Sequence, residues 1–269
     1  MTDTLTDLAA PLAFGLIGGF VGGYAGIAGA PLLIALMVLL LGWHQHPAQG
    51  TILAVMLGPM TIPALLAMRH RLRPLWKYIA VGVLSYMIAS YLGAWAAFQM
   101  DERVLRVTFT VLLFGLGSHR LLSKPLPSTD KMNPNGLTIY KPRLPAHPLY
   151  VTLVCLLVGV VGGFWGIGAG VLMVPLFMGL FGAHKDDART LSLAILLPPV
   201  SLGAAIVYQR EGAIEWDVAG LVFLGYMASN YFGAWLGRHH GQTTFSRGFG
   251  IVMILLGVSY LALLVWGGR

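Results

Sequence analysis

The chain has 269 residues, of which 57% are hydrophobic and only 10% charged, and its mean hydropathy is +0.77. A soluble domain carries about 25% charged residues to cover its surface, so long stretches of this chain must face lipid, and the composition excludes an ordinary soluble enzyme. The formal charge of +7 falls in the polar segments between apolar runs, where basic residues orient a membrane chain and meet anionic lipid; the lipid bilayer is the expected partner and nucleic acid is not.

Residues 1–10 hold Asp3 and Asp7 and no basic residue, unlike the positively charged start of a secretory signal peptide. Apolar stretches follow at 12–43, 47–68, 75–98, 103–122, 149–183, 188–208, 216–237 and 244–266. Most are close to the ~20 residues that an α-helix needs to cross hydrocarbon, and none shows the alternation of a barrel strand. The expected fold is an all-α polytopic membrane protein. Residues 123–147 differ in kind, with five prolines between Pro125 and Pro145, and read as a solvated linker between residues 1–122 and 148–269. Cys155 is the single cysteine, so an internal disulfide and a multi-cysteine metal site are excluded; no cofactor is expected.

The first and fifth stretches are too long. A straight helix of about 30 residues measures ~45 Å, well beyond the bilayer core. Both are interrupted by glycines: Gly22, Gly23, Gly26 and Gly29 in one, Gly162, Gly163, Gly166, Gly168 and Gly170 in the other. Two readings fit. Each is a long tilted helix whose glycines permit close packing, or a re-entrant hairpin of two half-helices.

The chain is also written twice. Tyr-Met-Ile-Ala-Ser-Tyr-Leu-Gly-Ala-Trp at 86–95 returns 140 residues later as Tyr-Met-Ala-Ser-Asn-Tyr-Phe-Gly-Ala-Trp at 226–235. The same offset pairs Gly22–Ile27 with Gly162–Ile167, His44 with His184 and Trp76 with Trp216. Such duplication in an apolar chain is a transporter signature. Loop charge then assigns orientation. Arg69, Arg71, Arg73 and Lys77 make one loop basic, whereas Arg210, Glu211, Glu215 and Asp217 make its counterpart acidic. Asp101, Glu102, Arg103 and Arg106 balance, while Arg238 and Arg247 make the matching segment basic. Basic ends favour the cytoplasm, so equivalent loops fall on opposite sides and the repeats are inverted, each a glycine-broken element plus three transmembrane helices. The linker, with Arg120, Lys124, Lys131, Lys141 and Arg143, is cytoplasmic.

Gly-Gly-Phe-Trp-Gly-Ile-Gly-Ala-Gly at 162–170, followed by Val171-Leu172-Met173-Val174-Pro175, together with the degenerate copy at 22–34, Arg69-His70-Arg71 and the duplicated layout, resembles the TauE/SafE family. The resemblance implies a bacterial inner-membrane exporter or permease for sulfite or organosulfonates. The first copy departs from the pattern at Ala28 and Pro31, which points to asymmetric substrate contacts.

A helix broken at glycines exposes backbone N–H groups backed by the helix dipole, a natural oxyanion site. Gly26, Gly29 and Ala30 and, opposite them, Gly166, Gly168 and Gly170 are therefore substrate-binding candidates; close packing is the competing reading. Asn230 and Ser90 are further candidates, as amide or hydroxyl donors within spans. Thr61 and Ser201 sit beside Pro59, Pro63, Pro198 and Pro199, where a hydroxyl either re-satisfies a freed carbonyl or marks a gating kink. His44 and His184 are candidates for proton coupling or are wet loop histidines. The Tyr-x4-Tyr-x-Gly-Ala-Trp segments read as packing and interfacial anchors. No Asp, Glu, Lys or Arg falls near the middle of a predicted span, and no Walker motif is present. The expected activity is secondary transport of a small sulfur-containing anion rather than catalysis, by alternating access and in the direction of export. An anion channel and a structural membrane subunit are the alternatives, and a homo-oligomer is left open.

Overall fold

The computed structural model describes residues 2–25, 29–59, 62, 72, 75–122, 148–168, 170–181, 183, 185–239 and 242–266. Among these the regular elements are all helical: α1 (Thr2–Ala25), α2 (Ala30–Leu41), α3 (Gln45–Val55), α4 (Trp76–Phe98), α5 (Glu102–Leu122), α6 (Pro148–Trp165), α7 (Gly170–Phe181), α8 (Lys185–Ile195), α9 (Leu202–Arg210), α10 (Trp216–His239) and α11 (Gln242–Trp266). The segments Trp76–Phe98, Pro148–Trp165 and Gly248–Trp266 are long and apolar enough to cross a membrane. They carry exposed Leu84, Leu92, Leu153, Leu157, Leu255 and Val258, a surface suited to lipid rather than water.

The two overlong stretches are broken, not tilted. In a straight helix Gly18 and Gly29 would stand ~16 Å apart. Instead a Cβ on Gly29 would lie 2.8 Å from the Gly18 carbonyl oxygen, and Leu33 packs on Gly18. The chain folds back after α1. It does so again after α6, where a Cβ on Gly162 would lie 3.4 Å from the carbonyl carbon of Gly168. The returning pieces α2 and α7 have 12 residues each, about 18 Å, too short to cross alone. Pro31 in the first turn starts α2, and Gly42 ends it in a left-handed conformation (φ 67°), with the Trp43 N–H reaching back to the Met37 carbonyl.

The 188–208 stretch, expected as one span, is two helices. α8 starts earlier, at Lys185, and α9 ends at Arg210, with Pro198 and Pro199 in the turn between them. Pro cannot supply the N–H that a continuous helix requires there.

Three helix pairs organise the packing: α1 with α10, α4 with α6, and α5 with α11. Gly15 faces the Val222 carbonyl, Gly19 that of Tyr226, and Gly233 that of Phe20, so numbering rises together and α1 runs parallel to α10. Gly82 beside Cys155, Gly159 beside Tyr86 and Gly163 beside Ser90 make α4 and α6 parallel as well. Such glycines let backbones approach closely, the usual basis of helix association where no hydrophobic drive exists. In α5 and α11 the order reverses. Phe109 meets Tyr260 (centroids 5.4 Å), Phe114 meets Gly257 and Gly117 meets Gly250, so these helices are antiparallel. Phe98, at the end of α4, touches Tyr208 (4.9 Å), and Thr51 accepts the Glu215 N–H (3.1 Å) just before α10. The last turn of α4 and the first turn of α10 therefore share one end of the bundle, and those two helices run in opposite directions.

Helix boundaries recur at the offset of the sequence duplication. The starts of α2 and α7 (30 and 170), α3 and α8 (45 and 185), α4 and α10 (76 and 216) and α5 and α11 (102 and 242) each differ by 140.

Candidate functional site

The 166–168 break is built by two left-handed glycines. Gly166 (φ 68°) and Gly168 (φ 70°) turn the chain between α6 and α7 in a conformation that other residues adopt only with strain. α7 then opens at Gly170, and the N–H groups of a first helical turn have no partner within their own helix.

What faces this break comes from α3, in the N-terminal part of the chain. A Cβ on Gly166 would stand 2.8 Å from Cβ and 3.0 Å from Cα of Gln49, and one on Gly168 would stand 2.8 Å from Met56 Sδ. Gln45 and Gln49, one helical turn apart, share a face of α3 and are both fully buried. The Tyr208 hydroxyl donates to Gln49 Oε1 (2.8 Å) and the Tyr260 hydroxyl to Gln45 Oε1 (3.1 Å). With each amide oxygen held in this way, the Nε2 groups of both glutamines have no acceptor among the described residues. On the α4 side, the Tyr86 hydroxyl points at Gly162, is buried, and also lacks a partner among the described residues.

The first break differs. Gly29 caps α2 without any side-chain hydrogen bond, Ala30 is buried behind it, and the Gly29 backbone bonds to Tyr226, the residue 140 positions after Tyr86. On the second break, the atoms next to Gly166 belong to Gln49 of α3 and those next to Gly168 to Met56, the residue that caps α3. Gly26, Thr61 and His184 lie outside the described residues.

The other candidates separate. Ser90 is buried and donates to the Met87 carbonyl (2.9 Å) and the Val200 carbonyl (3.3 Å), which brings it beside Ser201. The Ser201 hydroxyl is buried without a partner among the described residues, so it does not take up a carbonyl freed by the neighbouring prolines there. Asn230 is half-buried on α10, and its neighbour Ser229 is the one that packs against Gly19. Tyr86 and Tyr226 are buried at the breaks rather than anchored at an interface, whereas Trp95 and Tyr231 are exposed, as anchors would be.

His44 stands at a helix end, three-quarters exposed, with Nδ1 2.8 Å from Glu102 Oε2. Glu102 also accepts the Gln45 N–H (2.8 Å) and an Arg106 N–H (2.7 Å). Partial burial pushes the Glu102 carboxyl up, but these bonds and the Arg106 charge outweigh it and hold it below the usual carboxylate range. Asp187 is buried on α8 beside the buried Thr190. It stands one residue before the stretch expected as a span, in the first turn of α8 and away from the middle of that span.

The family model described as sulfite exporter TauE/SafE matches residues 10–260. The chain belongs to the TauE/SafE family. A "probable membrane transporter protein" of Xylella fastidiosa (strain 9a5c) is 22% identical over 237 residues, covering 87% of each chain. No solved structure matches. The family and this relative make a role in membrane transport the coarse functional assignment.

Proposed function

We propose that this protein is a secondary carrier that exports a small sulfur-containing oxyanion, sulfite or an organosulfonate, across the bacterial inner membrane by alternating access between two inverted repeats. The observation that carries the mechanism is the antiparallel contact of α5 with α11. These helices occupy matching places 140 residues apart. A two-fold axis along the helices would make such partners parallel. A two-fold axis across them, in the membrane plane, makes them antiparallel. The opposed directions of α4 and α10 agree with that axis.

Charge follows the same geometry. On this reading the helix ends at Trp76, Leu122, Pro148 and His239 share one end of the bundle with basic Lys77 and Arg238, and those at Phe98 and Trp216 share the other with acidic Glu211, Glu215 and Asp217. The positive-inside rule makes the first end cytoplasmic. The substrate class rests on the family and on the chemistry of the breaks, which offer N–H and O–H donors to an anion. Purified protein in liposomes should carry sulfite, methanesulfonate or taurine with saturation. Flux that never saturates would favour a channel, and no flux with any of the three would remove the reading.

A further inference from the structure

Buried polar atoms in a finished protein almost all have partners, and each one that does not costs about 1–3 kcal/mol. Two such donors border one segment here. Gln49 Nε2 belongs to a fully buried side chain whose Cα and Cβ lie against Gly166. Tyr86 Oη, on a side chain 1% exposed, lies against Gly162, which itself touches Gly168. Tyr208 donates to Gln49 Oε1 and thereby fixes which end of the amide is the free donor.

The equivalent tyrosine in the first half differs, because the Tyr226 oxygen accepts from the Gly29 backbone N–H. Packing accounts for a tyrosine ring at either position, since Phe would fill the same space. It does not account for an unpartnered hydroxyl and an unpartnered amide on two buried side chains that both pack against the segment of a left-handed glycine turn leading into a helix start.

We propose that the 162–168 segment is the oxyanion-binding half-site of the carrier. In this site the Gln49 amide and the Tyr86 hydroxyl are the side-chain donors, the first turn of α7 supplies backbone N–H groups, and Tyr208 is the positioning residue. This rests on the anion-carrier reading and narrows it to one of the two breaks. The ligand class is a compact anion with at least two oxygens able to accept at once, as the pyramidal SO3 group of sulfite and the tetrahedral sulfonate both do. The donors named here are neutral, which suits an anion that must be released again, because a neutral group costs less to desolvate than a charge. The residue 140 positions after Gln49 is Arg189, so the two halves differ in charge at this register as well.

The test uses the full chain with sulfite as probe, in two assays: saturable uptake into liposomes, and the rise in melting temperature on adding sulfite in detergent. Tyr86→Phe removes the hydroxyl without changing shape. It should raise KM about 10- to 100-fold, the range for losing a hydrogen bond to a charged group, with Tm unchanged or higher. Gln49→Glu keeps the Tyr208 bond but replaces the donor with a like charge and should abolish both uptake and the sulfite-induced rise. Tyr226→Phe, which deletes a bond already made, should lower Tm. Wild-type KM in Tyr86→Phe and Gln49→Glu, with wild-type uptake saturable, would overturn the half-site and leave the carrier intact. A sulfite-induced rise that is lost in both variants, in a wild-type protein that carries nothing, would keep the site and overturn the carrier.

Discussion

Replacing Gly166 with Ala tests whether α3 is seated on the break. At φ 68° a residue with a Cβ pays ~1–2 kcal/mol for the left-handed conformation alone. The new methyl would also stand 2.8 Å from Gln49 Cβ and 3.0 Å from Gln49 Cα. The second of these is backbone, so α3 must move, and overpacking of this kind costs ~1–3 kcal/mol. The sum is roughly 2–5 kcal/mol. Gly168→Ala carries the same conformational cost, but its methyl meets the sulfur of Met56 at 2.8 Å, the far end of a flexible side chain that can swing aside. Gly42→Ala is the reference, with φ 67° and nothing within 4 Å of the added carbon. The expected order of destabilisation is Gly166 first, then Gly168, then Gly42. The first should exceed the last by ~1–3 kcal/mol, or roughly 2–12 °C in Tm. The assay is thermal unfolding in detergent, followed by intrinsic tryptophan fluorescence. Equal losses at 166 and 42 would refute the seating of Gln49 against the break and the half-site with it.

Two further outcomes follow from the ends of the bundle. Cysteines placed at Leu72 and Glu211, in a chain whose native Cys155 is buried, should react with an impermeant thiol reagent from opposite sides of the membrane; labelling from one side would exclude inverted repeats. The Glu102 carboxyl is held below its ordinary value near 4.5, so the stability it contributes is present above that pH and is lost as pH falls through the lower folded value. Glu102→Gln should therefore lower Tm at neutral pH and remove part of the fall in Tm seen below pH ~4.5; an identical acid profile in the variant would show that the cluster with His44 and Arg106 contributes nothing.

Much of the architecture is legible in the sequence because lipid imposes simple rules on it. Helix length, the proline-rich linker and the doubled glycine segments can all be read by counting. The fold-back is not, since glycine is at home both in a helix and at positive φ, and only Gly29 lying on Gly18 decides between tilt and hairpin. The split at Pro198-Pro199 was visible as a pair of prolines, but a kink and a full break have the same sequence. Gln45 and Gln49 escape notice for another reason. Gln45 lies between the 12–43 and 47–68 apolar runs and Gln49 at the start of the second, so both look like the edge of a loop, and what holds them is remote: Tyr260 and Tyr208, 215 and 159 residues away. The one local signal was their spacing of four with Pro47 in the first turn, which puts two amides on one face of a short helix.

The two halves share their packing contacts and differ at their breaks. Gly19 against Tyr226 and Gly159 against Tyr86 are the same contact made twice, as are Gly233 against Phe20 and Gly93 against Val160. The scaffold is thus kept in both copies. At the breaks the copies diverge: Tyr226 bonds to Gly29, while Tyr86 and Gln49 retain buried donors without partners among the described residues. If close packing were all that the second break served, Phe at 86 and Leu at 49 would fill the space without the penalty of ~1–3 kcal/mol for each buried orphan. A ligand that arrives and leaves removes the penalty only while it is bound. That is the energetic pattern expected of the proposed half-site, which must grip an anion and then let it go.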